Sequence, residues 1–134
     1  MEDPIDTLQT DAITYLALGD SYTIGQGVLP ALRWPNQLGN RLKESNITIG
    51  TLNIIAQTGW TTKSLLNAIA SQEPENHDLV SLLIGVNNQY QGSPFSQFQV
   101  EFDSLLTISI NLANGSESVF VVSIPDYGVT PFGS

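Results

Sequence analysis

Cysteine is absent from the 134 residues of this sequence, and histidine occurs once, as His77. Without cysteine, the chain has no disulfide scaffold, thiolate zinc site, iron–sulfur cluster or cysteine nucleophile. With one histidine, it has no site that needs two imidazole groups. No cluster of carboxylates suggests a metal either, so we expect neither a metal ion nor another cofactor.

Basic residues are also scarce, since four lysines and arginines stand against thirteen aspartates and glutamates. The resulting net charge of -9 and pI of about 4.1 repel nucleic-acid phosphates and anionic lipid headgroups. The charge therefore argues against a nucleic-acid partner and against a role at a membrane surface.

Long hydrophobic runs are missing as well, and the longest ones, such as residues 119–122, fall far short of a membrane span. Residues 1–4 are acidic where a signal peptide would be basic, and no apolar stretch follows them. The sequence therefore predicts a soluble chain without a membrane span. It is either cytoplasmic in this form or an exported form whose signal has been removed.

The hydrophobic residues that are present, 41% of the chain, suffice for a core and rule out disorder as the main state. A chain of this length forms one domain, residues 1–134. Strand-like apolar runs lie near residues 13–19, 48–56, 78–85 and 118–124, and helix-like periods separate them. This alternation predicts an α/β fold, a three-layer, flavodoxin-like parallel sheet with helices on both faces.

Capping signals predict where the helices between these strands begin. A first helix is predicted from Pro35, and a second from an N-cap at Thr61 or Thr62. For the third helix, Ser93 is the predicted N-cap. Its apolar residues recur at three- and four-residue spacing and are expected to face the core: Phe95, Phe98, Phe102, Leu105, Leu106 and Leu112.

The loops that follow the strands carry the candidate functional residues, Ser21, Gly59, Asn87 and Asp126. Right-handed crossovers place the carboxyl ends of all parallel strands along one edge, so these loops should meet there. Ser21 directly follows a buried strand and can point its hydroxyl group into a crevice. The alternative is that Ser21 only caps the next helix, and that Asp126 is an ordinary turn residue.

Two of these loops contain hydrogen-bond donors suited to acyl transfer. If the strand order is 2-1-3, Gly59 and Asn87 flank Ser21. The amides of Ser21 and Gly59 and the side chain of Asn87 would then form an oxyanion hole. Taken alone, Gly59 is more typical of a helix-entry turn than of an oxyanion hole, and Asn87 is more typical of an ordinary turn.

At these positions the sequence resembles the SGNH hydrolases, also called GDSL-type esterases and lipases. The resemblance is carried by Leu18-Gly19-Asp20-Ser21, Gly59 and Gly85-Val86-Asn87, and it covers residues from about 13 to 132. It implies that Ser21 is the nucleophile of an ester hydrolase that forms an acyl-enzyme with a small-molecule ester. Gly59 and Asn87 would complete the oxyanion hole. The chain departs from the family pattern at Tyr22 and Asn88.

The family's C-terminal Asp-x-x-His block, which supplies the general base, is missing from this chain. His77 precedes the third strand, so we expect it to be a solvated loop residue ~20 Å from Ser21. The chain therefore resembles the first two thirds of such a domain, incomplete at the C-terminus. We expect it to pair with the missing C-terminal segment, or to self-associate through the exposed sheet edge, and to be weak or inactive alone.

Two other functions remain open from the sequence. One is a non-catalytic fragment that kept the loops and lost the base, and the other is a flavodoxin-like domain that binds a small ligand. Gly25 and Gly27 lack the spacing of a dinucleotide loop. Asp20 is expected to bind loop amides, while Trp34 and Trp60 either line an acyl pocket or pack in the core.

Overall fold

Parallel strands form the sheet at the centre of the protein, for which a computed structural model describes residues 12–25 and 27–123. In these residues the sheet has four strands in the order β2-β1-β3-β4. Their bounds are Ile13–Gly19 for β1, Ile49–Ala56 for β2, Leu79–Leu82 for β3 and Val119–Val121 for β4. All three pairings are parallel, which confirms the predicted sheet and the 2-1-3 order.

Five α-helices connect the strands within the described residues. They are α1 (Ser21–Ile24), α2 (Trp34–Glu44), α3 (Thr62–Gln72), α4 (Val86–Gln91) and α5 (Phe95–Leu112), with short 3-10 helices at Pro30–Leu32 and Ser116–Ser118. None of these described helices combines the length and the apolar character that crossing a bilayer requires.

Side chains on the two faces of β1 point into two different apolar layers, because successive residues of a strand alternate between faces. On one face, Leu16 and Leu18 are fully buried and pack with Leu65 of α3 and Leu105 of α5. This layer confirms that the long helices α3 and α5 cover one side of the sheet.

On the other face, Tyr15 is fully buried, and its ring lies 6.2 Å from that of Phe120 on β4. Trp34, at the start of α2, meets Phe120 edge-on at 6.3 Å. The Tyr15 hydroxyl shares a 2.7 Å hydrogen bond with the Ser81 hydroxyl, and burial raises the pKa of Tyr15 to about 12. Helices thus cover both faces of the sheet, as predicted.

The start of α5 differs from the prediction. Pro94, not Ser93, occupies the N-cap position, and no side chain caps the helix. Pro94 has extended backbone angles, and its carbonyl accepts hydrogen bonds from the amides of Gln97 and Phe98. Phe95 was expected in the core and is 69% exposed, because the first turn of α5 lies beyond the buried layer that begins at Leu105.

The strand boundaries also differ by a few residues. β3 ends at Leu82, although Leu83, Ile84 and Gly85 were predicted to belong to it. β4 likewise covers only Val119–Val121 of the predicted residues 118–124, because Ser118 belongs to a 3-10 helix and the chain leaves the strand after Val121. Residue 124 of that predicted strand, residues 1–4 and Asp126 lie outside the described residues.

Candidate active site

Ser21 is the first residue of α1, directly beyond the carboxyl end of the central strand β1. The N-cap of that helix is Asp20, whose Oδ1 accepts a 3.0 Å hydrogen bond from the Tyr22 amide. Asp20 therefore caps α1. The alternative interpretation of the sequence, in which Ser21 only caps this helix, was wrong. Its side chain is partly exposed at the edge of the sheet.

Gly19 makes the tight turn before Ser21 because no other residue fits there. A Cβ atom on Gly19 would lie 2.2 Å from Thr23 Oγ1 and 2.8 Å from the Leu83 carbonyl oxygen. Thr23 is fully buried and accepts a 3.4 Å hydrogen bond from Trp34 Nε1. The close contact lets α1 fold back over the strand end and fixes the position of Ser21.

Asp20 is fully buried, and burial raises the pKa of its carboxyl group, although the hydrogen bond from Tyr22 opposes the shift. Within the described part of the chain, its Oδ2 is buried without a hydrogen-bond partner. Asp20 therefore binds a helical amide, that of Tyr22 in α1, where amides of the loop were expected, and it holds the turn that presents Ser21.

The loop after β2 contains Gly59, which has a φ of +86°, a conformation that strongly favours glycine. The Trp60 amide donates to the Gln57 carbonyl across this turn at 3.3 Å. Thr61 then caps α3, its hydroxyl accepting from the Ser64 amide at 3.3 Å. The sequence predicted an N-cap at Thr61 or Thr62, and the structure has it at Thr61, so that Gly59 lies just outside the helix.

Asn87 follows β3 on the short helix α4 and is partly buried. Its side-chain Nδ2 donates a 2.9 Å hydrogen bond to the carbonyl oxygen of Trp60, the residue after Gly59. The loops that follow β2 and β3 therefore touch across the carboxyl end of β1. A primary amide has a second N–H, which the bond to Trp60 does not use.

The next residue, Asn88, is part of a hydrogen-bonded network that sequence reasoning missed. Its Oδ1 accepts from the Thr62 amide at 3.0 Å, and its Nδ2 donates to Thr62 Oγ1 at 2.9 Å. The Thr62 hydroxyl donates in turn to Glu101 Oε1 at 2.6 Å. Thr62 is fully buried and Asn88 is 5% exposed, so the network locks the loop of Asn87 to α3 and α5. The sequence did carry one signal of this network, because Asn88 is a position at which the chain departs from the family pattern.

An apolar hollow of about 410 Å³ opens beside this loop. It is lined by Gly85, Asn88, Gln89, Ser93, Phe95 and Phe98. The rings of Phe95 and Phe98 lie 6.1 Å apart along one side. The hollow lies against Asn88, the residue after Asn87, and a small apolar group fits in it.

The tryptophans near the site are packing residues in this structure. Trp34 lies against Phe120 and donates to Thr23, and Trp60 packs on the buried core cluster. Neither is among the residues that line the hollow beside Asn87. The sequence left two roles open for these tryptophans, lining an acyl pocket or packing in the core, and the structure shows packing.

In the described ranges, His, Asp and Glu side chains form no group of three that could hold a metal ion.

His77 is buried, at 6% exposed, so the expectation of a solvated loop residue was wrong. Its amide donates to the Leu112 carbonyl at 2.8 Å, because the chain passes beneath the end of α5 before entering β3. Its Nδ1 lies 2.7 Å from the Glu75 carbonyl oxygen, which only accepts, so Nδ1 carries the proton. Nε2 then accepts from Asn53 Nδ2 at 2.9 Å.

The position of His77 along the sheet separates it from Ser21. Tyr15 pairs with Leu79, so His77 lies beside the amino end of β1, whereas Ser21 follows the carboxyl end. Strand residues rise by ~3.3 Å each, which puts about 20 Å between the two side chains. The predicted separation follows from the register, and His77 is not placed to act as a base for Ser21.

Comparison with known proteins identifies the family of this chain. The family model described as GDSL-like lipase/acylhydrolase matches residues 17–134. The chain belongs to this family. A search of curated proteins found no match.

Solved structures share the fold of this GDSL-like family member. The SGNH-hydrolase family esterase AlinE4 superposes with a TM-score of 0.69 at 21% identity, covering 82% of this chain and 58% of its own. TesA gives a TM-score of 0.64 at 21% identity, with the same two coverages. The psychrotrophic esterase EstA from Pseudoalteromonas sp. gives 0.62 at 24% identity, covering 87% of this chain and 63% of its own.

The chain thus spans less than two thirds of the length of these solved esterases. At these identities the likeness establishes the fold, the three-layer arrangement predicted from the alternation of strands and helices. It also agrees with the prediction that the chain corresponds to part of an SGNH domain.

Proposed function

We propose that this chain supplies the nucleophile and the oxyanion hole of a carboxylic ester hydrolase of the SGNH type. Ser21 is the proposed nucleophile, and the amides of Ser21 and Gly59 and the Asn87 side chain are the proposed oxyanion donors. The hydrogen bond from Asn87 to the Trp60 carbonyl is the observation that carries the proposal. It ties the two flanking loops together at the strand end where Ser21 stands.

In the proposed reaction, Ser21 Oγ attacks the carbonyl carbon of the ester while a general base removes the hydroxyl proton. The carbonyl oxygen becomes an oxyanion, and the three N–H donors stabilise it. The carbon–oxygen bond to the alcohol then breaks, and the base returns its proton to the departing alcohol. Water hydrolyses the acyl-enzyme by the same steps and releases the carboxylic acid.

The general base of this reaction is assigned to a segment other than residues 1–134. His77 lies at the opposite edge of the sheet, and both of its ring nitrogens are engaged. We propose that a histidine and an orienting aspartate from a further segment complete the site beside Ser21. The same segment is the proposed partner of this chain, and a small-molecule ester is the proposed substrate.

Chemical rescue tests the proposal on the 134-residue chain itself. Diethyl 4-nitrophenyl phosphate phosphorylates activated serines, and added imidazole can replace the missing base. We expect imidazole to accelerate labelling of Ser21, located by peptide mass spectrometry, at least tenfold. The Ser21→Ala variant should lose this label, whereas Ser93→Ala, which alters another partly buried serine at the same edge, should keep it.

Three outcomes would contradict the proposal. Imidazole-dependent labelling spread equally over Ser21 and Ser93 would show that Ser21 has no special environment. Failure to label Ser21 at any imidazole concentration, in a chain shown to be folded by circular dichroism, would favour a non-catalytic member of the family. Flavin that co-purified with the chain would instead favour the small-ligand-binding alternative.

A further inference from the structure

Two consecutive amide side chains of α4 hold the same stretch of the loop after β2. Asn87 donates to the carbonyl oxygen of Trp60 at 2.9 Å. Asn88 binds both the amide and the hydroxyl group of Thr62, at 3.0 and 2.9 Å. α4 has only six residues, and no side chain caps its first turn. A helix this short is not stable by itself, so contacts with the rest of the fold determine its orientation.

The donors and acceptors around Asn88 permit one orientation of its side chain. The Thr62 amide can only donate, so it binds Asn88 Oδ1, and Asn88 Nδ2 donates to Thr62 Oγ1. A flipped side chain would place two donors, Nδ2 and the Thr62 amide, against each other. Since the Thr62 hydroxyl accepts from Asn88, its own proton needs another acceptor, and Glu101 Oε1 takes it at 2.6 Å. Glu101 Oε2 in turn accepts from Gln97 Nε2 at 3.2 Å, which anchors the carboxylate on α5.

The residues held by this network are neighbours of both ends of the Asn87 hydrogen bond. Asn87 directly precedes Asn88 in α4, and its acceptor, the Trp60 carbonyl, lies two residues before Thr62. If the contact between Asn88 and Thr62 were lost, the donor and the acceptor of the Asn87 bond would both be free to move. The orientation of the Asn87 amide therefore depends on a network to which Asn87 itself does not belong.

We propose that Glu101 is a positioning residue, which acts through Thr62 and Asn88 to hold the Asn87 amide in the orientation that an oxyanion donor needs. This inference rests on the proposed function, because Asn87 is an oxyanion donor only in that reaction. Such a donor must lie about 2.7–3.1 Å from the developing oxyanion, and a displacement of ~1 Å can lower a rate by about 10²-fold. A carboxylate on α5 thus controls the reactivity of Ser21 without contacting the substrate.

Imidazole-dependent labelling of Ser21 in the 134-residue chain measures the effect of Glu101 on reactivity. Glu101→Ala removes the acceptor of the Thr62 proton, and Thr62→Val removes the hydroxyl group itself. We expect each variant to label about tenfold more slowly than the parent chain, because the Asn87 amide is displaced but still present. Glu101→Gln and Thr62→Ser each keep the bonding oxygen, so they should label within about threefold of the parent.

Two control variants separate positioning from charge and from stability. Asp103→Ala removes an exposed carboxylate from the same helix. Tyr15→Phe removes a buried 2.7 Å hydrogen bond between hydroxyl groups on the other face of the sheet, so it lowers stability without touching the network. Both controls should label as the parent does, and circular dichroism should show that every variant is folded.

Nuclear magnetic resonance reports on Asn87 without reference to activity. Its two side-chain amide protons, assigned by their loss in Asn87→Ala, should change chemical shift in Glu101→Ala and in Thr62→Val but not in Glu101→Gln. A parent chain in which Ser21 does not label would contradict the proposed function, and these chemical shifts would still decide whether Glu101 positions Asn87.

The role assigned to Glu101 is overturned if the Asn87 resonances are unchanged in Glu101→Ala, or if that variant labels at the rate of a parent chain that does label. Equally slow labelling of Tyr15→Phe would assign the effect to stability. Equally slow labelling of Glu101→Gln would assign it to the charge of the carboxylate.

Discussion

The side-chain amide of Asn87 lies 2.9 Å from the carbonyl oxygen of Trp60, and this hydrogen bond joins the loops after β3 and β2. Ser21 follows β1, the strand between them. One N–H of Asn87 therefore has a structural partner, and its orientation is fixed before any substrate binds. Donors fixed in this way need no reorganisation when charge develops on a substrate oxygen.

Replacing Asn87 should reduce the reactivity of Ser21 far more than it reduces stability. Asn87→Ala removes one proposed oxyanion donor, and such losses typically lower rates by about 10²–10³. The lost bond to Trp60 should cost only ~1 kcal/mol of unfolding free energy. Imidazole-dependent labelling of Ser21 and urea denaturation measure the two effects. A variant that labels at the parental rate would contradict the role assigned to Asn87.

The network of Asn88, Thr62 and Glu101 should tolerate paired changes better than single ones. Asn88→Asp leaves the single Thr62 hydroxyl proton facing two carboxylates, and a buried acceptor without a donor costs ~1–3 kcal/mol. Glu101→Gln provides an amide donor, so the double variant should recover part of that loss. Urea denaturation of the four proteins in a double-mutant cycle measures the coupling. Strictly additive effects would contradict the donor assignment.

The sequence predicted most of this edge because its signals were local. The strands ending at Gly19 and Ala56, and the cap at Thr61, follow from apolar runs and turn residues close in sequence. The bond from Asn87 to the Trp60 carbonyl and the network around Thr62 join residues 27 and 26 positions apart. Such contacts depend on the register of the folded sheet, which no local pattern contains.

Gly19→Ala should be strongly destabilising, whereas Gly39→Ala should not. The new methyl group at Gly19 would lie 2.2 Å from Thr23 Oγ1 and 2.8 Å from the Leu83 carbonyl oxygen. Overpacking of this kind costs about 1–3 kcal/mol. At Gly39, inside α2, the nearest contact would be Ile49 Cγ1 at an ordinary 3.5 Å, and alanine favours the helix by ~1 kcal/mol.

Thermal denaturation compares these two glycine variants directly. Adding Thr23→Ala to Gly19→Ala should restore only part of the stability, because the Leu83 carbonyl still obstructs the methyl group. If both glycine variants had the same melting temperature, the close packing of α1 on the strand end would not be needed to hold Ser21.

The buried carboxyl group of Asp20 should make the chain less stable as the pH rises. Burial raises its pKa above the ordinary value of 3.8, so the folded state binds a proton that the unfolded state has released. The free energy of unfolding then falls between pH 3.8 and the raised pKa, and the deficit persists above it. Asp20→Asn removes this titration while keeping a capping oxygen.

Urea denaturation of the parent chain and of Asp20→Asn at several pH values measures this effect. The stability of the variant relative to the parent should increase from acid to neutral pH. A difference that is constant with pH, or that increases toward acid pH, would contradict the raised pKa of Asp20.

His77 and Phe95 show where the sequence interpretation failed, and why. The polar neighbours of His77 suggested a solvated loop, but the hydrogen bond from its backbone amide to the Leu112 carbonyl holds it beneath α5. The spacing of Phe95 fits the buried face of an amphipathic helix. The first turn of α5, which contains Phe95, nevertheless extends beyond the buried layer that the rest of the helix covers. Periodicity identifies a face of a helix, but the length of the neighbouring elements decides how much of that face is buried.

The outer edge of β4 should cause the chain to self-associate. In the described residues, β4 is the last strand of the sheet and pairs only with β3, and Val121 is 48% exposed. Unpaired strand edges with apolar side chains are templates for pairing with another chain. We therefore expect sedimentation velocity to show association that increases with concentration.

Val121→Lys should reduce this self-association by placing a charge on the edge of β4, whereas Val100→Lys, on the exposed side of α5, should not. A polypeptide that supplies the proposed missing segment should suppress it as well, and a monomer that persists at every concentration would contradict the prediction.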